Sequence, residues 1–189
     1  MPRQRRILKH HILDAALELM KQDDFDRFTA RKIAESLNAS TQPIYKEFKN
    51  MDDLKCHLTE YIKIYLNKEI FQTENTHMRL RDVCANYIYF AHNEGTLFSV
   101  LFMDREIPAL SLHDFVYSCM ETVASRHDAL ADKDEKEVHS LLDVMWPVVH
   151  GFAILTAQGK YQMDEGDLIQ KIDSIVTHSY KVWESKQQA

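Results

Sequence analysis

Helix-breaking residues are scarce. Only four of the 189 residues are glycine and four are proline. That excludes a collagen-like or low-complexity chain and favours an all-helical protein with few, short loops. The three cysteines, Cys56, Cys84 and Cys119, are an odd number spread far apart. Each sits among apolar neighbours at helical spacing. They read as reduced core residues, not as a disulfide frame or a metal knuckle. No unbroken run of about 18 apolar residues occurs, so no membrane span is expected. The start, "MPRQRRILKHHILDAALELM", lacks the apolar stretch and small-residue cleavage site of a signal peptide, which points to the cytosol. A Gly-rich phosphate loop, a Gly-x-Ser-x-Gly elbow and a paired-cysteine motif are also missing, so the chain does not read as an enzyme.

What is present is a core's worth of apolar residues, 45%, with 28% charged. The net charge of −6 is uneven. Residues 1–49 hold ten Lys/Arg against seven Asp/Glu, and the remainder thirteen against twenty-two. A basic end on an acidic body suits a phosphate-bearing partner met by that end. A solvated terminus accounts for the charge equally well.

Apolar periodicity of three and four residues runs along nearly the whole chain, with no alternating strand pattern and no internal repeat. A first helix is expected from about Arg5 to Lys21 through Ile12, Ala15, Ala16, Leu19 and Met20, with Phe25 and Phe28 folding back beneath it. "TARKIAESL" reads as a second, short helix capped by Thr29. Asn38 then supplies the left-handed residue of a tight turn. Ser40 is the expected cap of a third helix, with Pro43 in its first turn, where a missing N–H costs little. Ile44 and Phe48 point inward, leaving Thr41, Gln42, Tyr45 and Lys46 outside. Two short helices about three residues apart have helix-turn-helix spacing.

Asn50 and Asp53 cap a fourth helix. It carries Leu54, Leu58, Tyr61, Ile62 and Tyr65 and stops before "QTENTH". "MRLRDVCANYIYFAHNEG" is a fifth, stopped by Gly95. "TLFSVLFM" is a short apolar helix ended by "REIP". "SLHDFVYSCMETVASRH" follows through Phe115, Cys119 and Val123, then an acidic loop, "DALADKDE". Two long helices close the chain, about Asp134–Gln158 and Asp164–Ser185. Glu135, His139 and Asp143 stand at i, i+4 and i+8 and can share a helix face able to hold a metal. A charged solvent edge is the reading adopted, and no metal or cofactor is assigned.

The stretch "FTARKIAESLNASTQPIYKEFKNMDDL", residues 28–54, resembles the DNA-binding domain of the TetR family of one-component transcriptional repressors. The resemblance extends over residues 5–65. "WPVVHGFAILTAQGKY" is similar to the Trp-x-x-x-His-Gly signature of one class of TetR-type C-terminal domains, carried by Trp146, His150 and Gly151. Three departures stand out. Asn38 replaces the usual turn glycine, Gln42 a small residue, and Met51 a common lysine.

The resemblance implies an all-α fold: a helix-turn-helix domain over residues 1–50 and an effector-binding and dimerisation domain over 51–189. It implies a dimeric, cytoplasmic repressor that leaves a pseudo-palindromic double-stranded operator when a small molecule binds. The third helix would enter the major groove. Thr41 and Gln42 would face base edges, Gln42 pairing with adenine or bridging by water, and Pro43 a thymine methyl. Tyr45 and Lys49 would meet phosphates, Lys49 beside the N-terminus of the fourth helix. Ser40 and Lys46 share that surface. Thr29 and Arg31 would anchor the backbone or reach a base, unless Thr29 is only a cap. Arg3, Arg5 and Arg6 would track the adjacent backbone or minor groove. The last two helices would form the dimer surface, although their stripes equally suit an intramolecular core. The middle helices would enclose an effector pocket. Its candidate lining is Tyr61, Tyr65, Tyr87, Phe90, Phe98, Phe102, Met103, Phe115, Met145, Trp146 and His150. This aromatic, weakly charged set points to a lipophilic or aromatic effector. His150 either serves a ligand or satisfies a buried hydrogen bond.

Overall fold

A computed structural model describes residues 6–22, 28–103, 109–126, 130, 133–161 and 164–187, with the side chains of 109–111, 165 and 187 left aside. Arg3, Arg5, Phe25, "REIP" and much of the acidic loop lie outside the described residues. The described residues are helical, with no strand among them. The helices are α1 (Lys9–Met20), α2 (Ala30–Ser36), α3 (Gln42–Glu47), α4 (Met51–Leu66), α5 (Leu80–Asn93), α6 (Gly95–Phe102), α7 (Ala109–Ala124), α8 (Glu135–Ala157) and α9 (Glu165–Gln187). One apolar core runs without interruption from Ile12 in α1 to Trp183 in α9. Helix α4 joins its two ends, touching α1 on one side and α7 on the other.

Helix α1 begins at Lys9, later than the amphipathic pattern suggests. Leu8 is extended, at φ −110° and ψ 163°. Its N–H donates to Nδ1 of His11 at 3.1 Å, so the imidazole supplies a cap that stops the helix there. Thr29 caps α2 as expected, its Oγ1 accepting the Lys32 N–H at 3.3 Å. Asn38 adopts φ 52°. Replacing it with alanine, which cannot offset left-handed strain by local hydrogen bonding, should cost about 1–2 kcal/mol, and glycine should cost nothing. Urea midpoints of the two variants check this.

Ser40 is not the cap of α3. Thr41 takes that place, and its carbonyl accepts from the N–H groups of Ile44 at 3.1 Å and Tyr45 at 3.3 Å. Pro43 is thus the second helical residue, one place nearer the favoured first position. Ile44 and Phe48 are buried. Asn50 caps α4 by accepting the Asp53 N–H at 2.8 Å, while the Asp53 carboxylate turns back one residue further, to the Lys49 N–H at 2.9 Å.

The end of α4 widens into a π-turn, Asn67–Phe71, closed by Gln72 at φ 44°. The turn buries Ile70 and Phe71 together. It is pinned by Asn86 Nδ2 donating to the Ile70 carbonyl at 2.9 Å and by Thr73 donating to Asn67 Oδ1. Gly95 does not terminate α5. Glu94, at φ −120° and ψ 42°, breaks the chain, and Gly95 opens α6. A Cβ there would sit 3.1 Å from the Ala157 carbonyl oxygen at the end of α8, tighter than most Cβ contacts, so a side chain would press on that end.

Helix α8 carries a reciprocal capping box, with Asp134 accepting from the Glu137 N–H and Glu137 from the Asp134 N–H. It is long and apolar enough to cross a membrane by composition alone. Its buried face, Val138 through Phe152, makes it the central helix of the core. Cys84 and Cys119 are buried, and burial raises both thiol pKa values. Cys56 is exposed, so it is not a core residue. It belongs to the solvent side of α4, whose inward stripe is Leu54, Leu58 and Ile62.

Candidate functional site

The exposed face of α3 is set by its two buried anchors. With Ile44 and Phe48 turned inward, Gln42, Tyr45 and Lys46 lie in solvent, Tyr45 at 54% exposure, and Thr41 and Pro43 are half-exposed. Gln42, Pro43, Tyr45 and Lys46 line one open groove of about 1270 Å³ with Arg6, which precedes α1, and with His11 and Asp14 of α1. Ser40, Lys49, Thr29 and Arg31 are also exposed. Arg31 Nε donates to Glu35 at 2.8 Å along α2. The groove thus gathers Arg6, Ser40, Gln42, Pro43, Tyr45 and Lys46, while Arg3 and Arg5 lie outside the described residues. Two contacts tie the α1–α3 unit to the body. The Tyr61 hydroxyl on α4 donates to the Asp14 carboxylate on α1, and this bond holds the phenol's pKa up to about 12. Lys21 Nζ pairs with Glu18 at 2.9 Å and lies 5.3 Å over the Tyr65 ring.

The candidate effector residues separate into groups. Tyr61 and Tyr65 belong to that joint, although Tyr65 also meets Phe90 edge-on at 6.5 Å. The remainder centres on Tyr87, which is fully buried. Around its ring stand Trp146 at 4.9 Å, Phe98 at 5.4 Å, Phe102 at 5.6 Å, His150 at 6.1 Å and Phe71 at 6.5 Å. Phe115 reaches the group through Phe71 at 5.9 Å, and Met145 touches the Cys84 thiol at 3.9 Å. Met103 is exposed at the end of α6. Trp146 stacks on His150, one turn away. The Tyr87 hydroxyl lies 2.9 Å from His150 Nδ1, a polar pair inside an aromatic shell. The hydroxyl donates when the imidazole proton sits on Nε2.

Burial lowers the His150 pKa below its ordinary 6.5, and nearby His113 acts in the same direction. Below that ordinary value the unfolded chain takes up a proton that the folded chain refuses. Stability should therefore fall as pH drops from about 6.5 and level off below the folded-state pKa. His150→Gln should flatten this part of a plot of Tm against pH relative to the wild type.

Residues 80–178 match the sequence model of the tetracyclin repressor-like C-terminal domain, more than half of the chain, and residues 12–55 match that of the bacterial regulatory proteins, tetR family. The chain belongs to the TetR family. Its α1–α3 unit is accordingly a DNA-binding domain, and the protein acts in transcription regulation. TetR-family regulators are generally not enzymes. Two solved structures share the TetR fold. A protein of Mesorhizobium loti MAFF303099, described as a TetR-family transcriptional regulator, superposes with TM-score 0.65 at 16% identity over 92% of this chain and 95% of that one. A protein of Vibrio parahaemolyticus with a similar description gives 0.55 at 17% identity, over 93% and 96%. No curated protein matches the sequence.

On the far side of this TetR-family chain, α8 and α9 leave apolar side chains in solvent. Val148 is 50% exposed and Val182 46%, and Leu155 and Ile169 are exposed as well. A groove of about 470 Å³ runs between Val144, Val148, Leu155, Ile175, His178 and Val182. The long stripes thus serve the core through Leu168, Ile172 and Val176 and leave a second apolar face outside. Sequence reasoning missed three features. The Asp14–Tyr61 bond joins residues far apart in sequence. The His11 cap has no standard motif. Asp143 does not share a cluster with His139, since it accepts from the Tyr117 hydroxyl at 3.0 Å. Glu121 stands beside His139 instead, its Oε1 2.5 Å from Nε2.

Proposed function

We propose that the protein is a dimeric repressor, released from a pseudo-palindromic operator by a small lipophilic or aromatic molecule. Residues 1–50 read DNA and residues 51–189 sense the effector and dimerise. The observation that carries this reading is the outward face of α3, where Gln42, Pro43 and Tyr45 project while Ile44 and Phe48 fix the helix to its core. A single short helix offers few base contacts, and two-fold symmetry doubles them on a palindrome. The exposed apolar face of α8 and α9 is the natural dimer surface, two pairs forming a four-helix bundle. The aromatic shell around Tyr87 is the effector site, with the Tyr87–His150 pair as its polar handle. An effector that prefers a different setting of α4 against α1 would shift the recognition helices off their half-site spacing, with coupling of about 1–3 kcal/mol.

The test is footprinting of the full-length protein on DNA upstream of its own gene. Protection should cover two half-sites about 34–36 Å apart. Affinity should fall about 10³-fold or more between 50 and 200 mM salt if about six or more phosphates are contacted. Equal affinity for unrelated DNA, or no binding at low salt, refutes a specific regulator. Val148→Arg with Val182→Arg should give a monomer in sedimentation and abolish protection of paired half-sites.

A further inference from the structure

We propose that Glu121, Glu135 and His139 form a binding site for a divalent transition metal, zinc above all. The three come from two helices, Glu121 from the last turns of α7 and Glu135 with His139 from the start of α8. Their ligand atoms all lie within 4.8 Å of one another. Glu121 and His139 are half-buried and Glu135 is exposed, so the site has a protein floor and an open side for water. The donor set suits the ion. An imidazole selects zinc-like metals over magnesium and calcium, and two carboxylates neutralise its charge.

The surroundings hold the ligands in place. The Tyr117 hydroxyl on α7 reaches the His139 carbonyl at 3.3 Å and the Asp143 carboxylate at 3.0 Å. The Tyr117 ring also meets the His139 ring edge-on at 5.6 Å. These contacts fix α7 against α8 one turn from the ligands. Glu135 and His139 are four apart on one helix face, the spacing that lets two side chains reach one ion. Glu121 Oε1 already stands 2.5 Å from His139 Nε2. In a tetrahedral zinc site, bonds of about 2.0–2.1 Å put neighbouring ligand atoms about 3.3 Å apart. The pair must open by under about 1 Å, with Glu135 swinging in, to admit the ion between them. A bound ion would staple the end of α7 to the start of α8.

The experiment is calorimetric titration of the full-length protein with Zn²⁺, paired with X-ray absorption at the zinc edge. One ion per chain is expected, with one imidazole nitrogen and oxygen donors in its shell. Glu121→Gln and His139→Gln should each weaken binding by at least about tenfold to a hundredfold, since the loss of a ligand costs no less than the loss of an outer-shell partner. Asp114→Asn, at an exposed carboxylate on α7 outside the trio, should bind zinc as the wild type does. Zinc should raise the Tm of the wild type but not of His139→Gln, which far-UV circular dichroism must show to be folded. Absence of stoichiometric binding would leave the trio as an ion pair and overturn the proposal. So would binding abolished by His10→Gln with His11→Gln but untouched by Glu121→Gln.

Discussion

Tyr45→Ala is expected to weaken binding to every DNA sequence by a similar factor, whereas Gln42→Ala should reorder the preference among sequences. Both side chains leave the same short helix, yet they differ in reach and chemistry. Gln42 opens α3 and carries an amide able to pair with one base edge. Tyr45 sits one turn further on, more than half exposed, and ends in a hydroxyl suited to a phosphate oxygen. Phosphate contacts are the same for all sequences, and base contacts are not. Losing a good base contact costs about 1–3 kcal/mol at that base pair, roughly fivefold to 150-fold. Binding of both variants to a randomised operator library, at two salt concentrations, separates the roles. A tyrosine hydroxyl carries no charge, so Tyr45→Ala should leave the salt slope unchanged, while Lys49→Ala should reduce it by about 1. Both residues lie in solvent, so stability should shift by no more than about 0.5 kcal/mol. Identical preference profiles for the Tyr45 and Gln42 variants would sink this assignment.

The second large effect concerns folding. Tyr87→Ala should cost about 3–5 kcal/mol, because it removes the ring on which Trp146, Phe98, Phe102 and Phe71 all pack. Against a typical total of about 5–15 kcal/mol, that is a large fraction. In a chain of this length it should lower Tm by about 6–20 °C. Tyr87→Phe keeps the ring and removes only the hydroxyl opposite His150, so it should cost about 1 kcal/mol. Urea unfolding of the three proteins, with m unchanged, measures both differences. Phenol added to Tyr87→Ala should recover part of the lost Tm by filling the vacated space. A Tyr87→Ala variant within about 1 kcal/mol of the wild type would show that the shell collapses freely and that Tyr87 is not its centre.

Features that depend on neighbours in sequence were readable before the structure. Thr29 caps α2, Asn38 turns left-handed, and Ile44 and Phe48 point inward, because each follows from a few adjacent residues. Errors arise where a distant part of the chain decides. Ser40 loses the cap of α3 to Thr41 once the turn at Asn38 is closed. Gly95 looks like a terminator, but it opens α6 and lies close against the Ala157 carbonyl of another helix. Cys56 resembles its buried counterparts until α4 is rotated onto the core. Trp146 and His150 stand out from their own spacing, whereas the Tyr87 hydroxyl that meets His150 is 63 residues away. Glu121 lies on α7, where no helical repeat connects it to His139. Local pattern reports which way a side chain faces, and only the packed chain reports what it meets.

The π-turn at the end of α4 bears on how this chain can change length. A π-turn holds one more residue than the α-helical turn it replaces. Ile70 and Phe71 are both buried, and the turn sets where Phe71 enters the core. Deleting one residue from Asn67–Phe71 would let the helix continue regularly, but it would turn everything beyond by about 100°. Phe71 would then leave Tyr87 and Phe115, and Gln72 would lose its place as the left-handed stop. Variants of this lineage should accept insertions and deletions in the 74–77 connection, and should keep an unchanged residue count between Asn50 and Thr73.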